Sequence, residues 1–221
     1  MPPSSKKSLT PRFSKPLVAA IILVAAAGSI FLAKYVLWGR VGAQDSIAAR
    51  AAGDPKAAVH IVEYLDFQCP ACAYGAKQIH NYLETFPGKI YLEVKYFPLG
   101  GHVHSMGATK YAQCSARQGK FWPYLSTVFE RQAQWKGLFD AQPAFVQIIK
   151  DIGADANKIQ SCVANDDIRK EIMAEKDAGV ALGIQSTPTY FINGKMFVGV
   201  KPMMEEVERL LGAVPTQQNV K

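Results

Sequence analysis

Cysteine is scarce in this sequence, since its 221 residues include only four. Common structural zinc sites take four cysteine or histidine ligands, usually from two closely spaced pairs. Cys69 and Cys72 form one such pair, whereas Cys114 and Cys162 form no second one. The sequence therefore disfavours a zinc site, and we predict neither a metal nor a cofactor.

Acidic residues are absent from the first 40 positions, which hold six basic residues. These six account for nearly all of the formal charge of +7, so residues 41–221 are close to neutral. A protein that binds a nucleic-acid backbone places lysine and arginine along one surface of its folded domain. No basic stripe of that kind follows residue 40, and we predict no nucleic-acid partner.

Charge is also absent from residues 17–33, an apolar run with basic residues on both sides. At 1.5 Å per residue this run spans about 25 Å of a hydrocarbon core that is roughly 30 Å thick. Tyr35 and Trp38 extend it with side chains that suit a membrane interface. We therefore predict a basic cytoplasmic tail at 1–16 and a transmembrane signal anchor at 17–38.

A cleaved signal peptide is the alternative interpretation of the same segment, because Val41-Gly42-Ala43 offers small residues like those at cleavage sites. The anchor is favoured because the apolar run is long and ends well before these residues. Under either interpretation the basic flank stays in the cytoplasm and the chain from about residue 41 is exported. We expect a single-pass cell-membrane protein with its folded domain on the periplasmic or extracytoplasmic side.

Hydrophobic patterns after a small-residue linker at 39–55 alternate between strands and helices. Runs of β-branched and aromatic residues predict strands, and apolar residues at helical spacing predict helices. The predicted order is strand 58–67, helix 76–86, strand 90–97, a helical block at about 103–183, strands 188–192 and 195–200, and helix 202–211. This order predicts an α/β domain at 56–212, made of βαβ, a helical insertion and ββα, followed by a polar tail at 213–221.

The Cys69-Pro70-Ala71-Cys72 sequence directly follows the first predicted strand. Proline favours the first position of a helix, so Cys69 should be the N-cap residue. Unpaired N–H groups and the helix dipole there stabilise a thiolate and lower its pKa. We predict that Cys69 attacks substrates and that the more buried Cys72 resolves the mixed disulfide. A plain structural disulfide and half of a zinc site remain as alternatives.

These residues resemble the DsbA-like thiol:disulfide oxidoreductases of the thioredoxin superfamily. The resemblance rests on the segment from Val62 to Cys72, on the helical insertion, and on the segment from Gly183 to Gly194. It implies a thioredoxin fold. It also implies that Thr187-Pro188 is a cis-proline loop, which in this family lies against the CxxC and offers backbone to a bound peptide.

The chain departs from the enzyme after which this family is named at two positions. That enzyme has histidine where this chain has Ala71, and valine where this chain has Thr187. Both positions bear on redox potential and on substrate choice. The direction of electron flow therefore stays open at this point.

Glu63 lies six residues before Cys69, at a position where the family carries a buried acid. Its alternation with Val62 and Tyr64 should direct it inward, where burial raises its pKa and lets it move protons for Cys72. The alternative is a partly solvated acid paired with Lys95 on the neighbouring strand. We favour the proton-transfer role.

Cys114 and Cys162 fall in two separate helices of the predicted insertion. Neither has the strand-to-helix setting that activates Cys69, so we predict a structural disulfide between them. A second redox pair is the alternative. We expect His102 and His104, which follow two glycines, to be loop residues near the mouth of the site.

We expect the chain to exchange disulfides with cysteine-containing exported proteins, acting as an oxidase that assists disulfide formation. A quinone-linked membrane partner of the DsbB-like kind would then reoxidise it. A thiol reductase or disulfide isomerase, for example in cytochrome c maturation, uses the same chemistry and stays an alternative. A non-catalytic chaperone or binding module with this fold is an alternative of another class.

Overall fold

A computed structural model of the chain describes Gly28 and residues 47–212. The predicted basic tail, the polar tail and, except for Gly28, the predicted anchor lie outside the described residues. Within the part that is described, no helix is both long enough and apolar enough to cross a membrane. The elements named below all belong to the unit that begins at Asp45.

Among the described residues, one sheet is formed by the strands β1 (Ala51–Gly53), β2 (Val59–Leu65), β3 (Ile90–Tyr96), β4 (Thr189–Ile192) and β5 (Lys195–Val198). Their order across the sheet is β1-β3-β2-β4-β5. The central strand β2 is parallel to β3 and antiparallel to β4, and both edge strands are antiparallel to their neighbours. Ile61 on β2 lies between Leu92 and Ile192, so the centre of the sheet is aliphatic.

Residues 47–212 also contain the helices α1 (Pro70–Thr85), α2 (Ser105–Ala116), α3 (Phe121–Glu130), α4 (Gln132–Trp135), α5 (Gln142–Asp151), α6 (Ala156–Ala164), α7 (Asp166–Ala181) and α8 (Val200–Leu211). The order β2-α1-β3, then α2 to α7, then β4-β5-α8 confirms the predicted α/β thioredoxin-like arrangement with a helical insertion. Within the predicted helical block, α3 and α4 are separate helices because the backbone of Arg131 leaves helical geometry.

The predicted linker at 39–55 is wrong in its last part, because β1 lies within it. Ala51-Ala52-Gly53 has no β-branched or aromatic residue, so the sequence gives no strand signal there. The strand forms because the free edge of β3 supplies hydrogen-bond partners. Gly53 has φ of +88°, and a Cβ there would lie 2.0 Å from the Ile90 carbonyl oxygen, so glycine is needed for this pairing.

The main core lies between the sheet and the helical insertion. Side chains of β3 alternate strictly between buried and partly buried positions, as expected for a strand with one face on a core. Phe67, which follows β2, packs its ring against Tyr96, Tyr124 and Phe129. These contacts tie the insertion to the turn that leads into Cys69, so core packing fixes the position of the site.

A buried ion pair attaches the segment before β1 to the insertion. Arg50 is 2% exposed and donates two hydrogen bonds of 2.9 and 2.6 Å to the Glu175 carboxylate on α7. Its guanidinium also lies 4.1 Å from the centre of the Tyr96 ring, and Glu175 accepts a bond from the Tyr96 backbone N–H. The Glu175 carboxylate thus binds both the buried guanidinium and the Tyr96 backbone N–H, while the Tyr96 ring packs on that guanidinium.

Replacing Arg50 by Met should lower the free energy of unfolding by about 3 kcal/mol, because the largely buried Glu175 carboxylate loses its cation. Adding Glu175→Leu should recover part of the loss, since the unpaired charge is then removed as well. Urea denaturation measures both changes. Arg209→Met is the matched control, because it breaks an ion pair on the surface of α8 and should leave stability unchanged. Equal stability of the Arg50 variant and this control would contradict the account.

Candidate active site

The cysteine pair lies where the chain turns from β2 into α1. Cys69 is the N-cap residue with extended backbone (φ −76°, ψ 120°), and Pro70 occupies the first turn. No side chain caps this end of the helix. The N–H groups of Ala71 and Cys72 lie near the Cys69 sulfur, as the sequence predicts, although that of Cys72 also donates to the Cys69 carbonyl oxygen at 3.1 Å.

The two sulfurs differ in exposure, although both cysteines are free thiols. Cys69 keeps 7% of its surface exposed, whereas Cys72 is completely buried. Of the two cysteines, Cys69 is thus the one that retains any accessible surface.

Their pKa values move in opposite directions. The hydrogen bond from the Cys72 thiol lowers the pKa of Cys69 most, and burial opposes it. The backbone N–H groups of Cys72 and Ala71 lower it further, to about 5. Burial raises the pKa of Cys72 well above its ordinary value, and the neighbouring Cys69 sulfur adds to the rise. At neutral pH one sulfur is a thiolate and the other a thiol.

The Thr187-Pro188 loop lies beside the Cys69 sulfur. Its peptide bond is cis, and the Cys69 sulfur lies 3.4 Å from the Thr187 carbonyl oxygen, to which the protonated form of Cys69 donates. The Pro188 carbonyl accepts from the Gly199 N–H at 2.9 Å, which joins the loop to the residue before α8. The structure therefore brings the loop and the cysteine pair together.

Glu63 lies beneath the pair in the middle of the sheet. It is 1% exposed and sits opposite Tyr190 in the β2–β4 register. Burial raises the pKa of Glu63 to about 8, although the Tyr190 side chain partly opposes the rise. Within the described residues, Glu63 Oε1 has no hydrogen-bond partner. Lys95 pairs in register with Tyr64, so it lies on the opposite face of the sheet and cannot be the partner of Glu63.

Gly75, one turn after Cys72, leaves the space for this arrangement. A Cβ at residue 75 would lie 2.1 Å from the Tyr190 hydroxyl oxygen. Any larger residue would push the tyrosine away from Glu63 or shift the helix that carries the cysteines.

A cavity of about 650 Å³ connects Glu63 with the surface. It lies between α1, the sheet and α3, and it exists because small residues, Ala73 and Ala76 among them, face large ones across the gap. Exposed Lys77 and His80 line it together with the buried Glu63. Glu63 thus borders a cavity that exposed side chains also line.

Two glutamines that the sequence analysis did not select hold the turn around Cys69. Gln132 on α4 is 5% exposed and donates to the carbonyl oxygens of Phe67 and Cys69 at 2.8 and 3.0 Å. Gln68 donates to the Lys136 carbonyl and accepts from the His104 N–H. No local pattern marks Gln132, because its partners lie more than 60 residues away.

Asp66 was also missed, although its position directly after a buried strand is a signal that could have identified it. Its carboxylate lies 2.9 Å from Nδ1 of His102. The expected loop placement of His102 and His104 agrees with the structure, and His104 contacts the Leu138 carbonyl oxygen. In the described part of the chain, no three His, Cys, Asp or Glu side chains form a possible metal site.

Cys114 on α2 and Cys162 on α6 form a disulfide with Cα atoms 5.9 Å apart. This distance lies inside the range that a disulfide requires, so the predicted pairing is present in the structure. The bond joins two helices of the insertion that also pack against each other.

Comparison with known proteins agrees with this architecture. Residues 45–213 match the family described as thioredoxin. The structure of the thiol-disulfide exchange protein α-DsbA2 from Wolbachia pipientis superposes with a TM-score of 0.63 at 22% identity, over 76% of this chain and 90% of that one. The other solved structures that it resembles include further DsbA proteins.

Two curated relatives extend the comparison. The probable disulfide bond formation protein D of Bacillus cereus is 24% identical over 65% of this chain and 69% of its own length. The Na(+)/H(+) antiporter NhaA of Herminiimonas arsenicoxydans is 26% identical over 66% of this chain, but the match spans only 22% of the antiporter. Because the family match covers most of its length, the chain belongs to the thioredoxin family.

Proposed function

We propose that the chain is an exported, membrane-anchored thiol:disulfide oxidoreductase that exchanges disulfides with cysteine-containing proteins and acts as an oxidase. The observation that carries the proposal is the unequal environment of two adjacent sulfurs, since only Cys69 joins a low pKa with exposure. The names of the Wolbachia pipientis and Bacillus cereus proteins support the same chemistry.

Oxidation of a substrate takes two exchange steps. A substrate thiolate attacks Cys69 in the Cys69–Cys72 disulfide, and Cys72 leaves as a thiolate that takes up a proton. A second substrate thiolate then attacks the substrate sulfur of the mixed disulfide, and Cys69 leaves. The substrate loses two electrons and the cysteine pair gains them. Because the departing Cys69 thiolate is stabilised, the second step releases product readily.

Glu63 transfers the proton to and from Cys72 in this scheme. The carboxyl has a pKa of about 8, so it can give a proton to the Cys72 thiolate and take one back near neutral pH. The cavity between α1 and α3 lets Glu63 exchange that proton with solvent.

The Thr187-Pro188 loop binds the substrate peptide. Its Thr187 carbonyl oxygen lies 3.4 Å from the sulfur that is attacked. A peptide joined to Cys69 must therefore pass over this loop, where backbone groups can pair with it.

The oxidase direction follows from the stability of the reduced pair. A disulfide is a strong oxidant when its reduced form is stabilised, and a Cys69 thiolate stabilises that form at neutral pH. Equilibration with glutathione measures the reduction potential of the Cys69–Cys72 pair and so tests the direction of electron flow. A reduction potential near the roughly −120 mV of DsbA supports an oxidase, whereas one near the roughly −270 mV of thioredoxin indicates a reductase.

Export and membrane attachment rest on the basic and apolar segments before residue 39. The Cys114–Cys162 disulfide supports export, because such bonds persist in oxidising compartments. A quinone-linked, DsbB-like membrane protein is the proposed oxidant of the cysteine pair. Cell fractionation tests the anchor, since full-length protein should stay with the membranes, and a soluble form starting near Gln44 would show a cleaved signal.

The proposed roles of the two cysteines predict opposite behaviour of two variants. Cys72→Ala should accumulate stable mixed disulfides with substrate proteins, because Cys69 still attacks and no internal thiol releases the product. Cys69→Ser should accumulate none and should neither oxidise nor reduce a model dithiol. Non-reducing electrophoresis after acid quenching measures both outcomes. Mixed disulfides formed through Cys72 in the Cys69→Ser protein would overturn the assignment.

Replacing Glu63 by Gln should remove a base that becomes available as pH rises through about 8. Below that pH the carboxyl is protonated, so both proteins should close the Cys69–Cys72 bond at similar rates. At pH 9 the variant should be about tenfold slower or more, as expected when a general base is lost. Stopped-flow closure of a glutathione mixed disulfide across pH measures the difference.

The same substitution should raise thermal stability at pH 9. A carboxyl with a raised folded-state pKa weakens the fold once pH exceeds its unfolded value, and Gln carries no such penalty. If Glu63→Gln slows closure of the Cys69–Cys72 bond and also raises stability, the slower closure results from lost proton transfer and not from a weakened fold. Parallel pH profiles for the two proteins would return Glu63 to a structural role.

A further inference from the structure

Asp66 is a fully buried carboxylate that the mechanism above does not use. Its Oδ1 accepts from the Gln68 N–H at 2.7 Å, and its Oδ2 accepts from the Leu99 N–H at 2.7 Å. The third contact is the 2.9 Å approach of His102 Nδ1 to Oδ2. A buried carboxylate needs such partners, and His102 supplies the one that comes from a side chain.

The backbone of Asp66 contacts the resolving cysteine directly. Its N–H donates to Cys72 Sγ at 3.5 Å, and this bond opposes the rise of the Cys72 pKa that burial causes. The N–H therefore stabilises the Cys72 thiolate, which is the form that attacks. The Cys69 sulfur has other partners, namely Cys72, the start of α1 and Thr187.

The Asp66 N–H shares a peptide plane with the Leu65 carbonyl, which accepts from the Phe97 N–H at 2.8 Å, and the Asp66 side chain holds the same residue in place from its other side. The carboxylate binds the turn before Cys69 through Gln68 and the loop after β3 through Leu99 and His102. Two segments that are more than 30 residues apart in the sequence thus meet at one carboxylate. Loss of the His102 contact would leave Oδ2 with the Leu99 N–H alone, so the residue beside Cys72 would be held less firmly.

We propose that His102 is a positioning residue for Cys72, which holds Asp66 so that its N–H stabilises the thiolate during resolution of a mixed disulfide. The inference rests on the proposed function. In this step the Cys72 thiolate bonds to Cys69 Sγ, the bond from Cys69 to the partner sulfur breaks, and the partner leaves as a thiolate with the electron pair. His102 touches none of the reacting atoms.

Three substitutions separate the hydrogen bond from the bulk of the ring. His102→Leu removes the donor. His102→Asn places an amide N–H near the position of Nδ1, whereas His102→Gln places it near the position of Nε2, which does not face Asp66. His60→Leu is the matched control, because His60 is an exposed histidine on β2 that packs on Tyr91.

The test follows reduced full-length protein after mixing with oxidised glutathione, with acid quenching and mass spectrometry. The first phase forms the mixed disulfide of Cys69 with glutathione, and the second forms the Cys69–Cys72 bond. His102→Leu and His102→Gln should slow the second phase about tenfold and leave the first within about twofold, as for the loss of a hydrogen bond to a charged group. His102→Asn should restore the second phase, and His60→Leu should match wild type in both.

Other outcomes overturn the proposal. Equal slowing of both phases, or an unchanged second phase in folded His102→Leu protein, would contradict a role directed at Cys72. An Asn variant as slow as the Leu variant would show that the hydrogen bond is not the cause. Failure of the wild type to form any mixed disulfide would instead refute the proposed function, so the two failures are distinguishable.

Discussion

The hydrogen bond that the Cys72 thiol donates to the Cys69 thiolate at the start of α1 is the interaction on which this site depends. It stabilises a thiolate on Cys69 and keeps the proton on Cys72, so one sulfur is ready to react while the other is held back. This geometry depends on local features of the chain, namely the extended backbone of Cys69 and the proline that follows it. The reactivity of the pair is therefore set by where one helix begins.

The surrounding structure keeps that starting point fixed. Phe67 anchors the turn in an aromatic cluster, and Gln132 donates to the carbonyl oxygens of Phe67 and Cys69 on either side of the turn. The helical insertion supplies most of these contacts. It therefore acts as a support for the redox site, in addition to any surface that it offers to substrates.

Local features of the chemistry could be predicted from the sequence, and long-range partners could not. The CxxC motif, the inward position of Glu63 and the strand order follow from short patterns whose physical causes lie within a few residues. Arg50 pairs with Glu175 across 125 positions, and no periodicity encodes that choice. The contact between His102 and Asp66 could not be predicted for the same reason. Strand β1 could not be predicted because its pairing depends on the free edge of β3.

The pH dependence of Cys69 alkylation in the reduced protein tests the central claim most directly. Iodoacetamide reacts with the thiolate. Cys72 is buried and has a raised pKa, so it should not be alkylated at acidic pH. The account predicts a single inflection near a pKa of about 5, with nearly full reactivity at neutral pH. An inflection near the value of about 8.5 for an ordinary cysteine would contradict it.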